Sequence, residues 1–213
     1  MKRVGAVICN FNKKEDVLNC IQSVLESKYT DYDLYVVDNA SSDGSAEAIR
    51  EKYGSQVKVL VNAENLGGSG GFITGLRKAL EKGYEYLYCL DNDVLVDENA
   101  MGELVEFLDT HPDSGMAGSR VYHMENPGVI QQFGQIVDFK DYCTEAKFLG
   151  KTDADGIPAV EYSDAVAACS LMVRKSLIDE IGLMPEDNFL PITDDPCLEN
   201  VNKELLDTYL NWG

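Results

Sequence analysis

The chain has 213 residues, 45% of them hydrophobic and 26% charged, an ordinary balance for a globular chain with one sizeable core. Its 37 acidic and 18 basic residues give a formal charge of −19, which argues against nucleic acid or an anionic membrane surface as a partner, since both attract clustered Lys and Arg. An anionic small substrate would need local help from a metal ion, a few basic side chains or backbone N–H groups. The six cysteines, Cys9, Cys20, Cys89, Cys143, Cys169 and Cys197, form no C-x-x-C pair and sit mostly among apolar neighbours. They are expected to be reduced core residues in a cytoplasmic protein. The apolar run at residues 4–9 is too short for a signal-peptide core, and no stretch reaches the roughly 18 apolar residues of a membrane span. A single domain over residues 1–213 is expected, with a ligand-binding half over 1–97 and a second half over 98–213.

In chain order, residues 4–9 are strand-like and Asn10-Phe11-Asn12 is a turn. Asn12, with Glu15 three residues on, predicts a capping box for a helix carrying Val17, Leu18, Ile21, Val24 and Leu25. A second strand, Leu34-Tyr35-Val36-Val37, runs into Asp38-Asn39-Ala40-Ser41-Ser42-Asp43-Gly44. A helix through Ala46, Ile49 and Tyr53 follows, then a strand over residues 57–61. Strands alternating with helices indicate parallel βαβ units and a doubly wound α/β sheet.

After that strand, Asn65-Leu66-Gly67-Gly68-Ser69-Gly70-Gly71-Phe72 reads as a glycine-rich loop opening a helix marked by Ile73, Leu76, Ala79 and Leu80. Glycines let the backbone approach a ligand, and the N–H groups at a helix start can receive a phosphate or sugar hydroxyls. The common templates fail: a dinucleotide fingerprint from Gly68 needs glycine where Ile73 stands, and a P-loop from Gly70 needs lysine where Leu76 stands. Arg77 in that helix reads as a solvated charge. Next, Leu87-Tyr88-Cys89-Leu90 ends abruptly in Asp91-Asn92-Asp93. An apolar run followed by acids is how a parallel strand looks as it leaves the core at the rim where open α/β sheets bind ligands. Two carboxylates so placed suit Mg²⁺ or Mn²⁺, although Asp and Asn are also ordinary turn formers.

A helix through Met101, Leu104, Val105 and Leu108 stops at His111-Pro112, so His111 is expected as a terminus residue. Residues 116–122 predict a strand, with His123 structural at its end. Residues 129–139 predict a hairpin, 151–158 a turn-rich loop, 165–173 a buried strand and 176–181 a short helix closed by Gly182. A second acidic pair, Asp194-Asp195, precedes a helical pattern through Leu198, Val201, Leu205, Leu206, Tyr209 and Leu210.

Taken together, Val7-Ile8-Cys9-Asn10-Phe11-Asn12, Val36-Val37-Asp38-Asn39-Ala40-Ser41-Ser42-Asp43-Gly44, the Asn65 to Phe72 segment, Asp91-Asn92-Asp93 and the Ile181 to Asp195 segment resemble the metal-dependent, inverting glycosyltransferases of family 2. The glycine segment is similar to that of members transferring galactofuranose or rhamnose. The resemblance implies a GT-A three-layer sandwich with a mainly parallel central sheet, and transfer of a sugar from a UDP- or dTDP-sugar to a saccharide or lipid-linked saccharide hydroxyl. It implies that Asn10, Phe11, Asn12, Asp38 and Asn39 bind the nucleotide, and that Asn65, Gly67, Gly68, Gly71, Asp91 and Asn92 face donor sugar or diphosphate. Asp93 and Asp91 would hold Mg²⁺ or Mn²⁺, and Asp194 or Asp195 would be the base that takes the acceptor proton. Surface polysaccharide biosynthesis, at a site reached from the inner membrane face through the acceptor, belongs to the same implication. Asp195 is followed by Pro196-Cys197-Leu198-Glu199, where relatives carry Glu and an aromatic residue, and the histidine that often completes the metal shell is missing, as in a C-terminally truncated member. The rival readings are a nucleotidyltransferase, whose loop after the first strand would carry glycine and basic residues, and a sugar-nucleotide-binding module without turnover.

Overall fold

The direction in which successive strand side chains point decides the layering, because both faces of the sheet are apolar and each needs helices to cover it. The computed structural model describes residues 2–138, 140 and 143–183. Its elements are β1 (Val4–Asn10), α1 (Lys14–Leu25), β2 (Tyr32–Asp38), α2 (Ser45–Tyr53), β3 (Val57–Val61), α3 (Gly67–Leu80), β4 (Tyr86–Asp91) and α4 (Ala100–Thr110). There follow β5 (Met116–Gly118), β6 (Val121–His123), β7 (Asn126–Gln132), β8 (Gln135–Asp138), β9 (Cys143–Ala146), β10 (Ser170–Arg174) and α5 (Lys175–Ile181). Among the described residues, one compact unit runs to Ala117 and resumes at Ala168, and a second comprises Gly118–Ala167.

The first unit is built on a six-stranded sheet of order β3-β2-β1-β4-β10-β5. β1 pairs in parallel with β2 and β4, and β2 with β3, whereas β10 runs antiparallel to β4. On one face Val4, Ala6, Ile8, Leu34, Val36, Tyr86, Tyr88 and Leu90 pack with α1, α2 and α4 through Val17, Ile21, Ile49, Leu104 and Leu108. On the other, Val7, Tyr35, Val37, Leu87 and Cys89 pack with Phe72, Leu76 and Ala79 of α3, and Ile178 of α5 joins them. The result is a three-layer α/β sandwich with a mainly parallel sheet. Arg174 ties β10 to the end of α4: its guanidinium donates to the carbonyl oxygens of Leu108 (2.6 Å) and His111 (3.4 Å), a cation where the helix leaves carbonyls unpaired. His111 is the terminus residue expected, stacked on Phe107 with its Nδ1 2.9 Å from the Phe107 oxygen.

Several local expectations change. The helix after β3 begins at Gly67, so the glycines lie inside α3 and not in a loop before it. The reason is steric. A Cβ on Gly75 would stand 2.3 Å from Val7 Cγ1 and 2.9 Å from Val37 Cγ2, and one on Gly71 would stand 2.2 Å from Cys9 Sγ, so a glycine face lets α3 lie close on the sheet. The capping box at Asn12 does not form; no side chain caps α1 from the Lys13 position, and Asp43 from the following loop accepts the Lys14 N–H at 2.9 Å. The strand expected at 116–122 is split between β5 in the main sheet and β6, and the buried strand expected at 165–173 is the shorter β10.

The second unit holds two ladders, β6 with β7 and β8 with β9, both antiparallel. The predicted 129–139 hairpin is absent, because β7 and β8 take other partners. Phe133 donates its N–H to the Lys147 oxygen (3.3 Å) and Lys147 donates back to Gly134 (3.0 Å), so the chain at 133–134 pairs with residue 147 instead of turning on itself. Arg120 lies over the Phe133 ring, 4.6 Å from its centroid, and donates to Asp153 (2.5 Å) and to the Pro158 oxygen (2.7 Å). The turn-rich loop at 151–158 contains a short 3₁₀ turn, Asp153–Asp155, with a capping box between Thr152 and Asp155.

Two outcomes test this packing. Gly75→Ala should cost about 1–3 kcal/mol in urea unfolding through overpacking, whereas Gly68→Ala, with nothing within 4 Å of the added Cβ, should be neutral or mildly stabilising. The Arg3 guanidinium (2.8 and 3.0 Å) and the Tyr86 hydroxyl (2.6 Å) hold the Asp109 carboxyl down at about 2. A folded value below the unfolded one, about 3.9, gives stability that is present above pH 4 and lost as pH falls toward 2. Because the pair is partly exposed the effect is modest, and Asp109→Asn should flatten the fall in urea midpoint over that window.

Candidate functional site

Parallel pairing brings three strand ends to one edge: Asn10 stands beside Asp38 in register, and Cys9 beside Asp91. Asn10, 0% exposed, sits between the other two ends. Its Nδ2 donates to Asp38 Oδ2 and Ser41 Oγ, each at 3.3 Å, and its Oδ1 accepts from Asn92 Nδ2 at 2.8 Å. A buried amide costs stability unless its polar atoms are bonded, so these contacts fix the three ends together. Asn92, the middle residue of Asp91-Asn92-Asp93, therefore faces Asn10, while the flanking carboxylates take their own directions.

The loop after β2 is shaped by its own side chains. Asp38 Oδ1 accepts the Ser41 N–H at 2.9 Å, Asn12 N–H donates to Ser41 Oγ at 3.0 Å, and Asn12 Oδ1 accepts the Ser42 N–H at 2.8 Å. Asn12 (φ 52) and Ala40 (φ 65) adopt left-handed backbone, which costs a residue with a Cβ on the order of 1–2 kcal/mol and is held here by these bonds. Phe11 projects beside Asn12, 43% exposed. Asn39 uses its whole amide: Nδ2 donates to Asn65 Oδ1 (2.8 Å) and the Gly67 oxygen (2.9 Å), and Oδ1 accepts from Asn62 Nδ2 (2.9 Å) and Leu66 N–H (3.1 Å). It thus ties the end of β2 to the start of α3. Asn65 Oδ1 also accepts the Gly67 N–H at 2.9 Å. Gly68 is open on its Cβ side, while Gly71 faces Cys9 and the Asn39 amide.

At the end of β4, Asp91 is partly buried and its carboxylate has no hydrogen-bond partner among the described residues. Burial first, then the negative charge of Asp93, push its pKa above the ordinary carboxylate range, while Lys13 opposes the shift. Asp93 is half-exposed and Lys13 Nζ lies 2.7 Å from its Oδ2. A partly buried carboxylate without a donor beside a second carboxylate is a donor set that suits a hard divalent cation, which binds through one or two carboxylates with waters and substrate phosphates. Among the described residues no group of three or more His, Cys, Asp or Glu side chains could hold a metal. Burial pushes the thiols of Cys9, Cys20 and Cys89 up to about 12, and none of the three is in a disulfide.

Of the residues picked from the sequence, Asn10, Phe11, Asn12, Asp38, Asn39, Asn65, Gly67, Gly68, Gly71, Asp91, Asn92 and Asp93 all lie in the first unit. Asp194 and Asp195 lie outside the described residues. Lys13, Ser41, Asp43 and Asn62 were not singled out, although the run Ser41-Ser42-Asp43 announces its local capping.

Residues 6–180 match the family model described as "Glycosyl transferase family 2". Poly-beta-1,6-N-acetyl-D-glucosamine synthase from Staphylococcus epidermidis is 28% identical over 113 residues, 53% of this chain and 27% of that protein. The mannosyltransferase PcManGT from Pyrobaculum calidifontis, solved in complex with GDP-Man and Mn²⁺, superposes with a TM-score of 0.60 at 18% identity, covering 88% of this chain and 49% of that one. S. aureus TarS 1-349 in complex with UDP-GlcNAc gives a TM-score of 0.55 at 14% identity, covering 90% and 49%. The chain therefore spans about a quarter of the curated relative and half of each solved chain. Identities this low carry the fold alone, and that fold is GT-A.

Asn39→Ala should lower stability by about 1–3 kcal/mol by leaving buried partners unpaired, and should raise amide hydrogen exchange over residues 62–67 before the rest of the sheet.

Proposed function

This chain belongs to glycosyl transferase family 2, and on that footing we propose that it is an inverting, metal-dependent transferase that moves a hexosyl or deoxyhexosyl group from a nucleoside-diphosphate sugar to a hydroxyl acceptor. The observation that carries this reading is the meeting of Asp38, Asn10 and the Asp91/Asp93 pair at one edge through the Asn10 amide. The binding of GDP-Man and of UDP-GlcNAc by the fold neighbours supports a nucleotide-sugar donor, and we take the nucleotide as UDP or dTDP. The Mn²⁺ in one neighbour supports Mg²⁺ or Mn²⁺ as the cofactor. The polysaccharide-synthase relative supports a role in polysaccharide synthesis, and we take the product as a surface polysaccharide and the acceptor as a saccharide or lipid-linked saccharide.

In this reading Phe11 and the Asn10–Asn12 turn line the base, and Asp38, whose carboxylate has acceptor positions beyond those used by Asn10 and Ser41, accepts an N–H from it. Asn39 holds the 62–67 segment at the donor side, where Asn65, Gly67 and Gly68 face sugar or diphosphate; Gly71, expected among them, has its Cβ side against Cys9 and the Asn39 amide, and Asn92, also expected there, gives an N–H to Asn10. A divalent cation held by Asp93 and Asp91 would offset the charge that develops on the leaving diphosphate. Asp194 or Asp195 takes the acceptor proton as the hydroxyl attacks the anomeric carbon from the opposite face, a displacement that inverts configuration without a covalent enzyme intermediate. The ligand-binding half is residues 1–97 and the acceptor half 98–213. No described helix is long and apolar enough to cross a membrane, and we place the protein in the cytoplasm, working at the inner membrane face through its acceptor.

A thermal-shift panel of nucleotide sugars with and without Mn²⁺ should give stabilisation by one donor that depends on the metal. A flat panel would sink the reading. Asp93→Asn should remove that metal dependence and lower transfer about 100-fold or more. Asp194→Asn and Asp195→Asn should separate: the base variant loses about 10²–10⁴ in turnover with donor binding intact. Binding of a donor without turnover against any acceptor would instead favour a non-catalytic module.

A further inference from the structure

Lys13 does not belong to the motifs that single out the site, yet its ammonium lies against the carboxylate proposed to hold the metal. It sits at the start of α1, next to Asn12, whose backbone and side chain are pinned by Ser41 and Ser42. The main chain is thus fixed while a flexible four-carbon stem carries the charge, a point cation that can swing without moving the fold. Both partners of the pair are 47% exposed on their side chains, so the contact is weak and exchangeable. The local charges explain its presence. Asp91 and Asp93 are two carboxylates from one strand end, Asp91 has no donor among the described residues, and Lys13 is the cation placed to neutralise them.

We propose that Lys13 is an internal counter-ion for the Asp91/Asp93 pair, competing with the divalent cation in the donor-free protein and moving from Asp93 to the donor's diphosphate when donor and metal bind together. The assignment rests on the function proposed above. A divalent cation on Asp93 carries twice the charge of the ammonium and repels it, while a diphosphate beside the metal attracts it. In a chain of net charge −19 a mobile cation at this edge serves both states: it limits repulsion between the empty carboxylates and meets the anion when it arrives. Lys13 therefore trades one anionic partner for another.

The test is Mn²⁺ titration followed by electron paramagnetic resonance on the full chain without donor, for the wild type, Lys13→Met and Asp93→Asn, with calorimetric titration of UDP, and dTDP in parallel, at saturating Mn²⁺. Lys13→Met should bind Mn²⁺ alone more tightly, by up to about fivefold, and the nucleotide more weakly by a similar factor. The wild-type Mn²⁺ affinity should fall with added KCl less steeply than that of Lys13→Met, because salt also weakens the competing ion pair. If Lys13→Met binds Mn²⁺ no more tightly, or nucleotide no less tightly, while Asp93→Asn abolishes Mn²⁺ binding, the role of Lys13 is overturned and the metal site stands. If Asp93→Asn binds Mn²⁺ as the wild type does, the metal site itself fails, and Lys13 with it.

Discussion

The rest of the site depends on one buried side chain, the amide of Asn10. It has no exposed surface, and its oxygen and nitrogen reach in opposite directions, to Asn92 on one neighbouring strand end and to Asp38 and Ser41 on the other. A shorter polar residue could bond one neighbour, and an apolar residue neither. Because the alternative to these bonds is a desolvated amide, the geometry of the edge is set before any ligand arrives. Asn39 repeats the logic one layer out, with all its bonding capacity spent on residues 62–67.

That arrangement separates two kinds of residue at the edge. Asn10 and Asn39 spend their side-chain amides on internal bonds, and Asn92 gives one N–H to Asn10. Asp91 and Asp93 keep carboxylate oxygens that no described backbone or amide N–H donor satisfies, and Phe11 and Gly68 stay open to solvent on the same unit. The division follows polarity: neutral amides can donate and accept at once, which suits bridging, whereas ionised carboxylates only accept, and Asp93 takes the Lys13 ammonium.

How much of this was legible in the sequence depends on the range of the interaction. β3 and α2 read directly from their apolar spacing, and the strand ending in Asp91 was apparent because composition changes abruptly there. The family resemblance is upheld by the match over residues 6–180. The glycines of 67–71 were misread as loop because glycine is both a loop former and the residue that lets a helix touch a sheet, and only the position of Cys9 and Val7 beneath α3 tells them apart. The 129–139 hairpin failed for a similar reason: alternation marks strands, but not their partners, which are β6 for β7 and β9 for β8. Lys13 was invisible because its partner lies 80 residues away. Asp194 and Asp195 lie outside the described residues and stand on resemblance.

The antiparallel strand β10 has a consequence for the order in which the protein can be made. β4 carries the acidic edge, and among the described residues its other side is closed by β10, in register from Ser170 opposite Leu90 to Arg174 opposite Tyr86. During synthesis β1, β2, β3 and β4 can assemble from the amino-terminal end, but β4 remains an open, apolar border until the chain has been made through Arg174. All the residues between must emerge while that border is unpaired. The strand that delivers the site thus stays paired on one side alone until β10 arrives, and in that interval a nascent chain is prone to pair with a stranger.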